Sequence, residues 1–228
     1  MPNMSSFKYV TRNTVNTALK INENIELEEH VVQDQTYFKI KNIFVDPEAA
    51  IEYLQNWPVL APPDYTYTPG GRQNFTPIDV APLVKAYAKI ADAINSVEEP
   101  HSPTSFITAS NVVSPNTKCW DGSWHPHADH DMVFNLWLCN WTEGTGLYTY
   151  KGVYDSRYIK ADQKTDRNKI VNWQNFWSGD DYEHYHTLEC EYNSLYVYNG
   201  KLFHGTIMGE GEGLRYSLIS FYRPKESF

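Results

Sequence analysis

Apolar and polar positions alternate with a period of two along several stretches of the chain, the mark of strands with one face turned to a core. Phe38 and Ile40 alternate with Lys39 and Lys41, as expected of a half-exposed strand. Met132-Val133-Phe134-Asn135-Leu136-Trp137-Leu138 is almost continuously apolar and aromatic, and reads as a buried or half-buried strand. Ser194-Leu195-Tyr196-Val197-Tyr198 reads as another, Asn199-Gly200 as a tight turn, and Leu202-Phe203-His204 as the start of the returning strand. A further strand runs from Arg215 through Tyr222, with Arg215, Ser217 and Ile219 on one face.

Helical periodicity is found upstream. Asp46-Pro47-Glu48 supplies an N-cap and a proline at the first helical position, and Ile51 and Leu54 form an apolar stripe that Trp57-Pro58 ends. A second helix runs from near Asp79 to about Val97, with Leu83, Tyr87, Ile90, Ala91, Ile94 and Val97 on one face. The stretch between them carries Ala61-Pro62-Pro63 and a Pro69-Gly70-Gly71-Arg72 turn, and reads as a long loop over about residues 60 to 76. The picture is a mainly β protein whose N-terminal helices pack on the outside of the larger sheet. One domain is expected over residues 1–228, with support in 1–104, a core in 105–228 and an insert at about 152–189.

Composition narrows the function. The net charge of -9 and the absence of a Lys/Arg run argue against a nonspecific nucleic-acid binder, which needs a basic stripe. No apolar run approaches the roughly 20 residues that span a bilayer. Cys119, Cys139 and Cys190 are an odd set without framework spacing, and no apolar segment follows Met1-Pro2-Asn3. A cytoplasmic, reduced protein is expected. The 17 Tyr and 7 Trp read mostly as bulk for a thin core. A few, including Trp137, Tyr148 and Tyr150, are candidates to line a pocket.

Metal-ligand types stand out against this background. A His-x-Asp triplet carries little weight alone in a chain with 8 His, but His127 and Asp129 enter a strand, and residues two apart on extended backbone point the same way. His204 lies near the start of a strand downstream. Two imidazoles and one carboxylate on one face of an octahedral ion leave the opposite face open. Arg215 and Ser217, two residues apart on a strand, form a carboxylate receptor in which the guanidinium fork takes two oxygens and the hydroxyl donates once more. His125 and His130 flank the ligand pair and read as neighbours of the site or as solvated groups. His184-Tyr185-His186 falls in the insert and reads as a lid or substrate rim.

His127-x-Asp129, His204 and Arg215-x-Ser217, in that order, resemble the signature of Fe(II)- and 2-oxoglutarate-dependent oxygenases. The likeness extends to Pro126, to Gly144-Thr145-Gly146-Leu147-Tyr148 and to Leu202-Phe203-His204-Gly205, and covers roughly residues 105 to 222. Tyr67-Thr68-Pro69-Gly70-Gly71-Arg72 and Leu147-Tyr148-Thr149-Tyr150 resemble a prolyl-hydroxylase-like branch of bacteria and their viruses. The insert and Thr145, where many relatives carry glycine, depart from the pattern.

The resemblance implies a double-stranded β-helix, the cupin-like jelly roll, with His127, Asp129 and His204 as Fe(II) ligands. It implies 2-oxoglutarate held by Arg215 and Ser217 with help from Asn135, Trp137 or Tyr148, dioxygen as oxidant, and ascorbate as a supporting reductant. The expected reaction is a dioxygenase hydroxylation coupled to decarboxylation of 2-oxoglutarate to succinate. The substrate is a small molecule, an amino acid or a prolyl peptide, with Arg72 and Tyr150 as its candidate contacts. The second reading is a non-redox cupin-like protein that binds a metal or carbohydrate. Arg215-x-Ser217 speaks against it, because a sugar site has no use for a carboxylate fork. A halogenase is disfavoured, since that chemistry needs a small residue where Asp129 stands.

Overall fold

The computed structural model describes residues 12–57, 71–95, 106–113, 126, 127, 129, 132–150, 182–207 and 209–222. Two antiparallel sheets face each other. The larger has, in spatial order, β1 (Leu27–Val32), β2 (Gln35–Lys41), β8 (Ser194–Asn199), β5 (Met132–Trp137), β10 (Arg215–Tyr222), β4 (Phe106–Val113) and β3 (Gly71–Phe75). The smaller has β7 (Tyr182–Leu188), β6 (Thr145–Tyr150) and β9 (Phe203–Thr206), and a bridge from His127 to His204 extends it past β9. From β5 onward the chain passes between the sheets in the order large, small, small, large, small, large, so that β5 lies between β8 and β10. This is the jelly roll.

Burial of both faces explains why β5 reads as a nearly continuous apolar run. Phe134, Leu136 and Leu138 face outward into a core shared with Leu195, Val197 and Leu218 and with the helices. Val133 and Trp137 face into the roll with Tyr196, Tyr198, Leu147 and Leu188. The outer core is closed by α1 (Arg12–Ala18), α2 (Pro47–Gln55) and α3 (Ala81–Asn95). In α2 the Asp46 carboxylate accepts from the Ala49 amide at 3.0 Å, and Ala50, Tyr53 and Leu54 form the buried stripe. In α3 Leu83, Tyr87, Ile90 and Ala91 are buried, and Tyr87 stacks on Phe134 at 4.6 Å between ring centroids. The expected continuation of this helix to Val97 lies outside the described residues.

The structure adds elements that the pattern does not announce. The β1–β2 hairpin turns on Gln33 and Asp34, both at positive φ (46° and 62°), without the Asn-Gly or Asp-Gly pair that signals such turns. Gly71–Phe75 forms an edge strand paired with β4, not the end of a loop. Residues 182–188, read as part of the insert, are β7. Asn193, at φ 55°, brackets Phe44 with its amide, accepting from the Phe44 N–H and donating to its carbonyl, both at 3.0 Å. Among the described residues no helix is long and apolar enough to cross a membrane.

Candidate functional site

Backbone pairing brings the three ligand-type residues together. His127 and His204 are joined by reciprocal N–H to carbonyl bonds of 2.8 Å, and their rings lie 4.4 Å apart. The Asp129 amide donates to the Gly200 carbonyl at 2.6 Å, which ties the ligand loop to the turn after β8. The Asp129 Oδ2 atom is 3.4 Å from His204 Nε2 and 3.7 Å from His127 Nε2. One donor atom from each residue falls within 4.8 Å of the others. Bonds of about 2.1 Å at right angles would separate neighbouring donors by about 3.0 Å, so the two Asp129 contacts need to close only slightly around an ion.

The tautomer of His204 suits this role. Its Nδ1 donates to the Leu202 carbonyl at 2.8 Å, which places the proton there and turns the Nε2 lone pair toward Asp129. Exposure is graded: the side chain of His204 is 6% accessible, Asp129 29% and His127 46%. The site therefore opens at His127 and is sealed at His204. Tyr198 closes its inner wall, with its ring 5.2 Å from that of His204. Burial, then the negative charge of Asp129, pushes its hydroxyl well above the usual tyrosine range.

Further along the inside of the roll, Arg215 is 1% exposed. Its guanidinium donates to the Ile207 carbonyl at 3.1 Å and the Gly144 carbonyl at 3.0 Å, and lies over Trp137 and Trp141 at 4.6 and 5.7 Å. Gly144 is also packed against the end of β7, where a Cβ would meet the Leu188 carbonyl oxygen at 1.9 Å. Ser217 is buried and pairs in register with Trp137. Asn135 Nδ2 donates to Thr145 Oγ1 at 2.8 Å, so the threonine that departs from the family pattern has a structural role. Asn135 Oδ1, Trp137 Nε1 and Trp141 Nε1 are buried with no hydrogen-bond partner among the described residues. Each such atom costs about 1 to 3 kcal/mol, and a polar ligand between the sheets recovers that cost. Exchanging the Asn135 amide atoms lets its carbonyl accept from Thr145 and aims its NH2 into the same space.

His127, Asp129 and His204 thus converge, and Arg215, Ser217, Asn135 and Trp137 share the interior of the roll. Tyr148 does not join them. It follows Leu147, which is buried inside, so strand alternation puts it on the outer face. There it covers Gly146 and meets His184 edge-on at 5.3 Å, so of the three candidates Asn135, Trp137 and Tyr148 only the first two share the interior. The backbone of Arg72 pairs with Asn111, which pairs with Ser217, while Tyr150 pairs with Tyr182. The side chains of Arg72 and Tyr150 lie outside the described set, as do His125, His130, residues 58–70 and residues 151–181.

His184 and His186 sit on β7. The register shifts between Leu147 and Tyr148, where the β7 partner changes from His186 to His184 and leaves Tyr185 as an extra residue. His186, opposite Leu147, bonds the Tyr37 hydroxyl at 3.2 Å and ties the small sheet to β2 of the large one. Burial, then the neighbouring His184, lowers its pKa. Tyr198 and Tyr37 escape a reading by motif, although the alternation of Tyr196 and Tyr198 with Leu195 and Val197 already assigns them to one face.

No protein-family model matches the chain, and no curated protein does. Among solved structures the chain is similar to HygX from Streptomyces hygroscopicus with nickel and 2-oxoglutarate bound, at 14% identity, covering 86% of this chain and 89% of that one, with a TM-score of 0.47. It is similar to a prolyl-4-hydroxylase of Pseudomonas putida, at 11% identity, 94% and 98% coverage and a TM-score of 0.47. It is also similar to the viral collagen prolyl hydroxylase of Paramecium Bursaria Chlorella virus-1, at 12% identity, 89% and 99% coverage and a TM-score of 0.45.

Proposed function

We propose that the chain is an Fe(II)- and 2-oxoglutarate-dependent oxygenase that hydroxylates a small molecule, an amino acid or a prolyl peptide. The observation that carries this reading is the convergence of His127, Asp129 and His204 within 4.8 Å, with His204 held in the tautomer that presents Nε2. Two neutral imidazole nitrogens and one carboxylate suit a divalent first-row metal and leave coordination positions for other ligands. Iron in this site supplies the chemistry that couples oxidative decarboxylation of 2-oxoglutarate to insertion of oxygen into a C–H bond.

The chain's own residues bind and orient. Arg215 and Ser217 take the distal carboxylate of 2-oxoglutarate, and the Ile207 and Gly144 carbonyls hold the guanidinium in place so that little freedom is lost on binding. Trp137 Nε1 and the Asn135 amide contribute polar contacts along the chain of the co-substrate. Tyr198, Leu147 and Trp137 exclude water from the interior. The primary substrate enters beside the exposed His127 ring, with Arg72 and Tyr150 as candidate contacts.

A screen for succinate release from anaerobically iron-loaded protein, begun by adding air, tests the reading against amino acids, prolyl peptides and small metabolites. Succinate formation that depends on iron and 2-oxoglutarate is the expected result. Stoichiometric iron binding without 2-oxoglutarate binding would favour the non-redox cupin-like reading instead.

A further inference from the structure

Cys139 and Cys190 lie 51 residues apart in the chain, yet their sulfurs are 3.3 Å apart, both buried and both free. Cys139 follows β5 of the large sheet, and Cys190 follows β7 of the small one. Cys139 Sγ points at the Tyr216 carbonyl at 3.6 Å, and Cys190 Sγ at the Cys139 carbonyl at 3.4 Å. The pair thus sits against the first residues of β10. The Cys139 hydrogen bond, then the Trp141 backbone and the positive charge of Arg215, hold the Cys190 pKa down. The same hydrogen bond, then burial, pushes the Cys139 thiol up. Cys139 lines a cavity of about 670 Å3 together with Leu138, Thr142, Gly211 and Tyr216, which gives a small oxidant a route to the Cys139 side of the pair.

We propose that Cys139 and Cys190 are a reversible thiol–disulfide site, oxidised by hydrogen peroxide, whose closure fastens the strand ends beside Arg215 and tightens the carboxylate pocket. The first sulfur to meet the peroxide attacks one of its oxygens and the O–O bond breaks, which gives a sulfenic acid and, with one proton, water. The second sulfur, 3.3 Å away, then attacks the first, the S–O bond breaks, and hydroxide leaves with the second thiol's proton as a second water. Two thiols have lost two electrons and two protons, and one peroxide has been reduced to two waters. The sulfurs need to approach by about 1.2 Å to reach disulfide length. The bridge fastens the large sheet to the small one at the end of the roll where Arg215 sits. A thiol reductant reopens it. The effect on the pocket rests on the role proposed for Arg215, whereas the disulfide does not.

The experiment uses the full-length, reduced, metal-free chain titrated with hydrogen peroxide. Peptide mass mapping is expected to show a Cys139–Cys190 cross-link that dithiothreitol reverses, with Cys119 left as a free thiol. Oxidised protein is expected to melt at a higher temperature than reduced protein, and this rise to vanish in Cys139→Ser and Cys139→Ala variants. Calorimetric titration of 2-oxoglutarate into the anaerobic Mn(II)-loaded forms is expected to show roughly threefold to tenfold tighter binding to the oxidised form. Sulfinic acid without a cross-link, or unchanged thiols at peroxide levels that oxidise Cys119, would overturn the site. Equal affinity of both forms would overturn the coupling alone. Binding to neither form would overturn the co-substrate reading and the coupling with it, and the mass map would still decide the disulfide.

Discussion

Phe134, Leu136 and Leu138 leave β5 toward the helices, while Val133, Asn135 and Trp137, one residue out of step, enter the roll. Both sets are almost fully buried, so degree of burial does not separate them. Chemistry does. The outer face is apolar and closed by helix side chains such as Tyr87, Leu83 and Leu54. The inner face carries an amide oxygen and two indole N–H groups without a partner among the described residues, next to a buried guanidinium. A fold that kept only its stability would make the two faces alike. The outer face therefore supplies the stability, and the inner face retains polar groups whose cost is offset when a ligand binds.

The comparison breaks most sharply at the metal ligands. His204→Ala is expected to abolish stoichiometric Fe(II) binding and leave the melting transition cooperative, because the outer core is untouched. Calorimetric titration and a thermal melt of the same sample check both halves. Leu136→Ala, one strand face away, should do the reverse. It removes a fully buried side chain from the outer core and is expected to cost about 2 to 5 kcal/mol in urea denaturation, with iron affinity kept wherever the protein is folded. A mutant that lost iron affinity in proportion to stability would mean that the faces are not separable.

Arg215 straddles the two roles. Arg215→Ala is expected to weaken 2-oxoglutarate binding roughly tenfold to a hundredfold with iron binding retained. Arg215→Lys keeps the charge but loses the fork that reaches both Ile207 and Gly144, and recovery of affinity should be partial. Unchanged affinity in the alanine variant would move the carboxylate contact to another cation. Asn135→Leu sharpens the comparison by making the inner face resemble the outer one. Stability is expected to change by less than about 1.5 kcal/mol in either direction, since an unsatisfied amide oxygen is removed together with one hydrogen bond. Affinity for 2-oxoglutarate should nevertheless fall severalfold in the same titration. A loss of stability beyond that range without any loss of affinity would make Asn135 a structural residue.

What was legible beforehand follows the same division. Runs of apolar, β-branched and aromatic residues announce β5, β8 and β10, and Asp46-Pro47 announces α2, because in each the local sequence carries the signal. His127-x-Asp129 and Arg215-x-Ser217 are legible for the same reason: two residues on one strand share a face. The β1–β2 turn is hidden because Gln33 and Asp34 adopt positive φ without glycine or asparagine. β3 is hidden because Gly-Arg-Gln-Asn-Phe has no apolar alternation, and its place is set by pairing with β4. Contacts across the sheets have no local signature at all. The enclosure of Arg215 by Trp137 and Trp141, the meeting of Cys139 with Cys190, and the bond from His186 to Tyr37 all depend on which strands the topology makes neighbours. The motif leaves Asn135, Trp137 and Tyr148 as equal candidates, and only the register of β6 against β9 says which way Tyr148 points.

Arg72 carries the smallest expected effect and tests how far the inner face extends. Its backbone lies in the register row that runs through Asn111 and Ser217 to Trp137, two strands from β10 at the edge of the large sheet. That row contains Ser217 of the proposed carboxylate receptor. If the substrate is bound along the same row, Arg72→Ala should leave iron and 2-oxoglutarate affinities within about twofold of the parent, a surface-scale change. Succinate formation in the absence of substrate should persist, and the stimulation by whichever substrate the screen identifies should disappear. Arg72→Lys should restore part of that stimulation if charge is what the substrate meets, and none if the planar fork is. Full stimulation in the alanine variant would confine the functional part of the inner face to β5, β8 and β10 and leave the edge strand as support.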